Sequence, residues 1–458
     1  MERMSGADAL LWHMERDDTP LHTLKTAVLD SSARGAPVTL DELRAAVLAR
    51  LGLVRRATQR VVTVRGFGGR PFWVDDDGFD IDAHLDERQI DAPGSRAELD
   101  RLHADLATAT LDRTRPLWAM TLAHGLEGGR QAVIVRVHHA LTDGLGALNT
   151  FLAATTAMRG DTVPASAAPV LDPPDPAALR RAAVRDVGPW LRDVPPLVRD
   201  GLRSRNRAAA FRAQAPDLPP FLGNPRNFCS VPSGARRVCA SASWSFDDFR
   251  RVGKASGATV NGVLHAVIAG AMRGELLARD QPVDAPTVAA FGISADERGA
   301  TRRYGNNVTP TNVALFSNVA DPLERLRLTA RSCREGVELR RTTGLDMAGR
   351  WATYTCRLAP AFRHLFAERF PTIVNHVTTA NVAGPPETRW AGDVEIVDWI
   401  SFAIAVAPAN VNITTYSYAG RMSTGLVTVP EVFPEPSRFL DRMAEALDEL
   451  VRAVDATP

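Results

Sequence analysis

The sequence predicts an α/β protein of two domains, and three observations carry that reading. At 458 residues the chain is too long for one ordinary core and suits two domains of roughly two hundred residues each. Runs rich in β-branched residues, such as Gln131 to Val137, interleave with amphipathic helical patterns, such as Leu40 to Leu51. A stretch rich in Pro, Ala and Asp, Thr162 to Pro176, then interrupts both kinds of pattern and reads as a linker. The division is therefore residues 1–161, a linker and arginine-rich crossover over 162–223, and a second domain over 224–458.

In the first block Leu40 to Leu51 is a helix with an apolar stripe, and Arg60 to Trp73 suggests a strand pair around the glycines of RGFGG. Arg96 to Ala109 is a second amphipathic helix, and Gln131 to Val137 a buried strand. Gly146 to Met158 reads as a helix whose positive end suits an oxyanion or a phosphate of CoA, or as an ordinary packing helix. The crossover, Ala178 to Ala213, sets nine arginines among Trp190, Leu191, Val194 and Leu197, with Pro195-Pro196 breaking any continuous helix. It reads as a face for an anionic membrane or as a solvated bridge. In the second block Ala240 to Phe246 is a strand, and Phe246 to Ala255 a short helix capped by Asp247. Val260, Val263, Leu264, Val267, Ile268 and Ala271 form the buried stripe of a helix whose other face carries Asn261 and His265. Ser401 to Ala407 alternates bulky residues with alanines, as a strand with one small-residue face would.

Composition narrows the function classes. A formal charge of +1 gives no overall case for nucleic acid or an acidic polymer, so function rests on local sites. The basic residues are almost all arginine, with Lys25 and Lys254 the lysines. Cys229, Cys239, Cys333 and Cys356 show no metal-ligand spacing and read as buried thiols of a reducing cytosol. Met1 to Met14 lacks the order of a signal peptide, and no stretch approaches eighteen uninterrupted apolar residues. A G-x-S-x-G elbow and a Gly-rich phosphate loop are both missing, which sets aside serine hydrolases and nucleotide enzymes.

The most informative string is VHHALTDGLGAL, in which His138 and His139 end a strand and Asp143 and Gly144 mark a tight turn. Side chains alternate along a strand, so the two imidazoles face opposite sides, which argues against a shared metal. One histidine then lines a cavity while the other packs into the scaffold; two purely structural histidines would fit the same string.

With its surroundings, this string resembles the bacterial wax ester synthase/diacylglycerol acyltransferase family, within the CoA-dependent acyltransferases that include chloramphenicol acetyltransferase and peptide-synthetase condensation domains. The likeness runs through Met4 to Thr23, Leu111 to Leu122 with its Pro-Leu-Trp, Thr259 to Arg273, Tyr304 to Pro310, Asn381 to Glu387 and Tyr416 to Val427, in the family's order. Two positions depart from it. The family's Asn-Asp pair is Asn261-Gly262, and Gly292 to Asp296 stands where relatives carry Pro-Val-Ser-x-Arg.

The resemblance implies two chloramphenicol-acetyltransferase-like α/β domains, with mixed sheets flanked by helices and an active-site tunnel between them. It implies transfer of a long-chain acyl group from acyl-CoA, a substrate and not a resident cofactor, to the hydroxyl of diacylglycerol or a long-chain alcohol. His139 takes the role of general base, with an unperturbed pKa near 6.5 that leaves it neutral at pH 7. His138 is its inward partner. Asp143 supports the loop through an arginine or backbone NH groups, and Gly144, Asn261 and Trp118 border the substrate. No metal or other cofactor is implied. Because the lipids dissolve in membranes, the expected place is the cytoplasm, peripherally on the inner face of the membrane or on lipid droplets. Two alternatives stand beside this reading: transfer to another lipid or polyketide hydroxyl, and a catalytically idle lipid-binding protein of the same fold.

Overall fold

Val133, Val135 and Val137 project from one face of the strand Arg130–His138, and Ala132 and Ile134 from the other, as extended chain requires. The second set is fully buried, while the first borders a cavity, so one strand divides a packed core from a hollow. The computed structural model describes residues 1–456 except 65–69, 167, 169, 233, 359–360, 362–371 and 408. Its principal strands are β1 (His22–Asp30), β2 (Leu85–Gln89), β3 (Trp118–Leu126), β4 (Arg130–His138), β5 (Val238–Ser245), β6 (Thr287–Ser294), β7 (Val308–Leu315), β8 (Val377–Ala383), β9 (Arg389–Ala391), β10 (Val394–Phe402), β11 (Val411–Tyr418) and β12 (Arg421–Thr428).

These strands form two six-stranded mixed sheets, ordered β9-β10-β1-β4-β3-β2 and β7-β6-β8-β11-β12-β5. In the first, β2 runs parallel to β3 and the remaining pairs are antiparallel. In the second, β8 runs parallel to both β6 and β11. Residues 389–402, which belong by sequence to the second block, complete the first sheet, so the sheets do not follow the sequence division at 223/224. Pairing of β10 with the free edge of β1 satisfies a row of backbone groups that would otherwise stay open.

Helices flank both sheets. On the packed face of the first sheet lies α1 (Arg96–Thr108), whose Leu99 and Leu106 join Leu24, Ala132, Ile134 and Phe402 in one core. A Ser95–Glu98 capping box starts this helix. On the other side α2 (Gly144–Ala154) follows the histidine string directly, and Leu40–Leu48, opened by a Thr39–Glu42 capping box, covers the cavity. The second sheet packs on α3 (Phe246–Ser256), α4 (Val260–Ala278), α5 (Pro322–Thr343) and α6 (Ser437–Asp455), whose apolar faces make the largest buried cluster. The sheets meet where β10 crosses β12. At Gly425 a Cβ would come within 2.3 Å of the Ser401 carbonyl oxygen, so the missing side chain permits the approach.

Several local expectations shift. The helix expected over Gly146 to Met158 runs Gly144–Ala154, and the strand expected over Ser401 to Ala407 ends at Phe402, because the chain leaves the ladder there. Ser245, not Asp247, is the residue before Phe246–Ser256, and it makes no side-chain cap. Strands Gln59–Val62 and Phe72–Asp75 pair antiparallel, while the RGFGG glycines between them fall outside the described residues. In the crossover the helices Pro176–Arg185, Val187–Arg192 and Val194–Arg212 succeed one another, and Pro195 and Pro196 open the last of them, where a missing amide costs nothing.

Candidate active site

β4 ends at His138, whose amide donates to the Leu117 carbonyl, while the His139 amide donates to the Leu21 carbonyl at 2.7 Å. The surroundings of the two imidazoles differ. His138 is fully buried; its Nδ1 accepts from the Ala140 amide at 3.0 Å, and its Nε2 lies 3.4 Å from Glu15 Oε2. Burial pushes the Glu15 carboxyl up, but His138, the Leu21 amide and Arg113 together outweigh it and hold it below the usual carboxylate range. His139 is half-buried, and its Nδ1 makes no hydrogen bond among the described residues. Burial pushes its pKa below the ordinary value against the pull of its own carbonyl, and the nearby Lys25 charge pushes the same way. The imidazole is thereby kept neutral at neutral pH, with a ring nitrogen free to accept a proton.

The turn after the histidines is fixed by charge. Asp143 caps α2, its Oδ1 accepting from the Gly146 amide at 2.9 Å. Its Oδ2 accepts from the Asn307 amide at 3.0 Å and from Arg302 Nη2 at 2.7 Å. The anion at this helix N-terminus is therefore the chain's own carboxylate. Arg302 also meets Asp296 at 2.6 Å, and its hydrogen bonds hold the Asp296 carboxyl below the usual range. Asp143 and Asp296 thus share one guanidinium, that of Arg302. Asn306 closes the turn from the other side: its Nδ2 donates to the His139 carbonyl at 2.6 Å and to Asp8 Oδ1 at 2.8 Å.

A cavity of about 500 Å³ opens against this turn. Val133, Val135 and Val137 of β4, Met120 of β3 and Ala27 and Leu29 of β1 form its floor, and Leu43, Val47 and Phe151 its roof. Leu141 and Thr142 bring its wall to the residues just after His139. Trp118 lines it too, its indole NH donating to the Ala57 carbonyl at 2.8 Å and its ring stacked on His84 at 4.4 Å. At Gly144 a Cβ would come within 3.0 Å of the Tyr416 hydroxyl, which donates to the Gly144 carbonyl.

Asn261 stands on α4. In the first turn of α4 its carbonyl accepts from His265 Nδ1 at 2.7 Å, and its side-chain oxygen lies 3.5 Å from Asn381 Nδ2. Among the described residues, no hydrogen bond joins it to His138, His139 or Asp143. Beside it, a Cβ on Gly262 would meet Ala330 Cβ at 2.9 Å, so the close crossing of α4 and α5 leaves no room for an aspartate there. Sequence reasoning passed over Glu15, Lys25 and Arg302. Lys25 carried a signal, a lysine within the apolar run HTLKTAVLD, whereas Glu15 and Arg302 carried none.

Two six-stranded mixed sheets, meeting where β10 crosses β12 and flanked by helices, give a chloramphenicol-acetyltransferase-like fold. The Marinobacter aquaeolei VT8 wax ester synthase/diacylglycerol acyltransferase superposes with a TM-score of 0.72 at 23% identity, covering 99% of this chain and all of that one. A condensation domain of the calcium-dependent antibiotic synthetase gives 0.59 at 15% identity, covering 99% and 96%. In sequence, the wax ester synthase/diacylglycerol acyltransferase catalytic domain matches residues 4–264 and the WS/DGAT C-terminal domain residues 304–451. A Mycobacterium tuberculosis CDC 1551 protein, named provisionally a diacylglycerol O-acyltransferase, is 31% identical over 471 residues, covering all of this chain and 99% of its own. Another from the same strain, similarly named, is 29% identical over 460 residues, covering 99% and 96%. The chain belongs to the wax ester synthase/diacylglycerol acyltransferase family, and it is an acyltransferase of that type, with acyl-CoA as a substrate.

Proposed function

We propose that the chain moves a long-chain acyl group from acyl-CoA to the hydroxyl of diacylglycerol, and of a fatty alcohol, with His139 as general base. The observation that carries this reading is a half-buried imidazole, kept neutral by desolvation, between Val137 and Leu141, which line an apolar cavity of about 500 Å³. In this reading Nε2 takes the proton of the acceptor hydroxyl as its oxygen attacks the thioester carbon. Exclusion of water from the apolar walls favours transfer over hydrolysis. Asp143 and Arg302 hold the turn, and Trp118 and Gly144 shape the space beside it. No covalent acyl-enzyme is required.

The acceptor enters from a lipid phase in this reading, so the protein works at the cytoplasmic face of the membrane or on lipid droplets. Arg180, Arg181, Arg185, Arg192, Arg199 and Arg203 are exposed on the crossover helices beside the exposed Val184, Leu191, Val198 and Leu202, a mixture suited to an anionic bilayer. Two residues first counted with that face turn inward: Leu197 is buried, and Trp190 packs on Tyr354 at 5.0 Å. Incubation with labelled palmitoyl-CoA and either diacylglycerol or hexadecanol tests the proposal. Labelled triacylglycerol or wax ester is the expected product, and its absence with both acceptors returns the reading to another acceptor hydroxyl or to an idle lipid-binding protein.

A further inference from the structure

Lys25 lies in the middle of β1, 5% exposed, and lines the cavity among Ala27, Val135 and Val137. Its cross-strand neighbours are Val135 on β4 and Ser401 on β10. Nζ donates to Ser401 Oγ at 2.5 Å and lies 5.5 Å from the centre of the Tyr416 ring. Tyr416 in turn donates to the Gly144 carbonyl at 3.0 Å, which ties these neighbours to the histidine turn. An ammonium carries three donors, and Ser401 accepts one of them.

Among the described residues no carboxylate makes an ion pair with Nζ; Asp143 acts on it only from further away. A lysine buried without a paired anion is costly, and its pKa falls to about 7. A negatively charged oxygen in the cavity would restore the proton's hold and satisfy the remaining donors.

We propose that Lys25 Nζ is the donor that meets the acyl oxygen in this cavity. That oxygen is the thioester carbonyl oxygen as it becomes an oxyanion, or the carboxylate of a free long-chain fatty acid bound in the same place. In the transfer step the acceptor oxygen gives its proton to His139 and bonds to the carbonyl carbon, and the π electrons move onto the carbonyl oxygen against Lys25. Collapse restores the C=O bond and breaks the C–S bond, and the CoA thiolate leaves with the proton from His139. The inference rests on the reading of the cavity as the acyl site.

The test compares full-length wild type, Lys25→Met and Lys25→Arg in equilibrium binding of palmitate and of methyl palmitate, and in turnover with palmitoyl-CoA. Lys25→Met is expected to weaken palmitate at least about tenfold, leave the uncharged methyl ester unchanged, and lower kcat ~10²–10³-fold with little change in KM. Lys25→Arg is expected to recover part of the palmitate affinity. Palmitate binding equal to wild type in Lys25→Met, equal losses for acid and ester, or an unchanged kcat would each overturn the assignment. Should Lys25→Met not fold, Lys25→Gln carries the same comparison. If the wild type transfers to no acceptor, the proposed function fails, while the palmitate comparison still decides the role of Lys25.

Discussion

Arg302 grips Asp143 at 2.7 Å, and the same guanidinium holds Asp296 at 2.6 Å, so one arginine ties the histidine turn to the segment that follows β6. The Asp143 side chain is 3% exposed and that of Arg302 23%. The pair therefore sits where losing one partner leaves the other short of compensation, though not wholly without solvent.

Arg302→Met should lower activity and stability together. Breaking a buried pair typically costs ~3–5 kcal/mol, and the partial exposure of Arg302 brings the expected loss to roughly 2–3 kcal/mol. Thermal melting beside the transfer assay checks this; an unchanged melting temperature would mean that the backbone amides alone hold Asp143. Asp143→Asn should follow the same pattern with a smaller loss, since Asn keeps the cap on Gly146.

His139→Ala and His138→Ala should separate chemistry from scaffold. The first removes the proposed base and should cost ~10²–10⁴-fold in kcat with little change in melting temperature. The second leaves Glu15 buried opposite a hole and should cost more stability than rate. The reverse order of effects would exchange the two roles.

Acid should unfold the protein through buried neutral histidines. Burial holds His22, His265 and His376 at about 4, against an unfolded value near 6.5. Between those values the unfolded chain binds more protons, so the stabilisation is complete above pH 6.5 and drains away as pH falls toward 4, at up to ~1.4 kcal/mol per pH unit for each histidine. Melting temperatures measured from pH 7.5 to 4.5 should fall steeply below 6.5. A flat profile down to pH 5 would show that these imidazoles are not held neutral.

Gly262→Asp, which restores the family's Asn-Asp pair, should destabilise this chain by ~1–3 kcal/mol because its Cβ meets Ala330 at 2.9 Å. Equal or greater stability in chemical denaturation would mean that α4 and α5 part easily.

Flotation with phosphatidylglycerol liposomes should carry the wild type at low salt and release it at high salt, since about 1 kcal/mol per basic residue near the surface is screened. Arg199, Arg203 and Arg207 changed together to Gln should weaken flotation at low salt. Equal flotation of both proteins at every salt concentration would make the crossover a solvated bridge.

Much of this was legible in the chain because it is local. The β-branched run before His138, the turn at Asp143 and Gly144 and the apolar stripe of Val260 to Ala271 are set by neighbours within a few residues, and each formed within a few residues of its expected span. The order of the motifs was enough to indicate the family and the sheet-and-helix architecture. Partners brought together by folding left no such trace. Asp143 and Arg302 are 159 residues apart, and Lys25 and Ser401 are 376 apart. Only the tertiary structure decided that β10 would return to the first sheet, that Arg302 would pair with Asp143, and that Lys25 would end in an apolar cavity. Periodicity reports which face of an element is buried; what it is buried against depends on strand pairing across the whole chain.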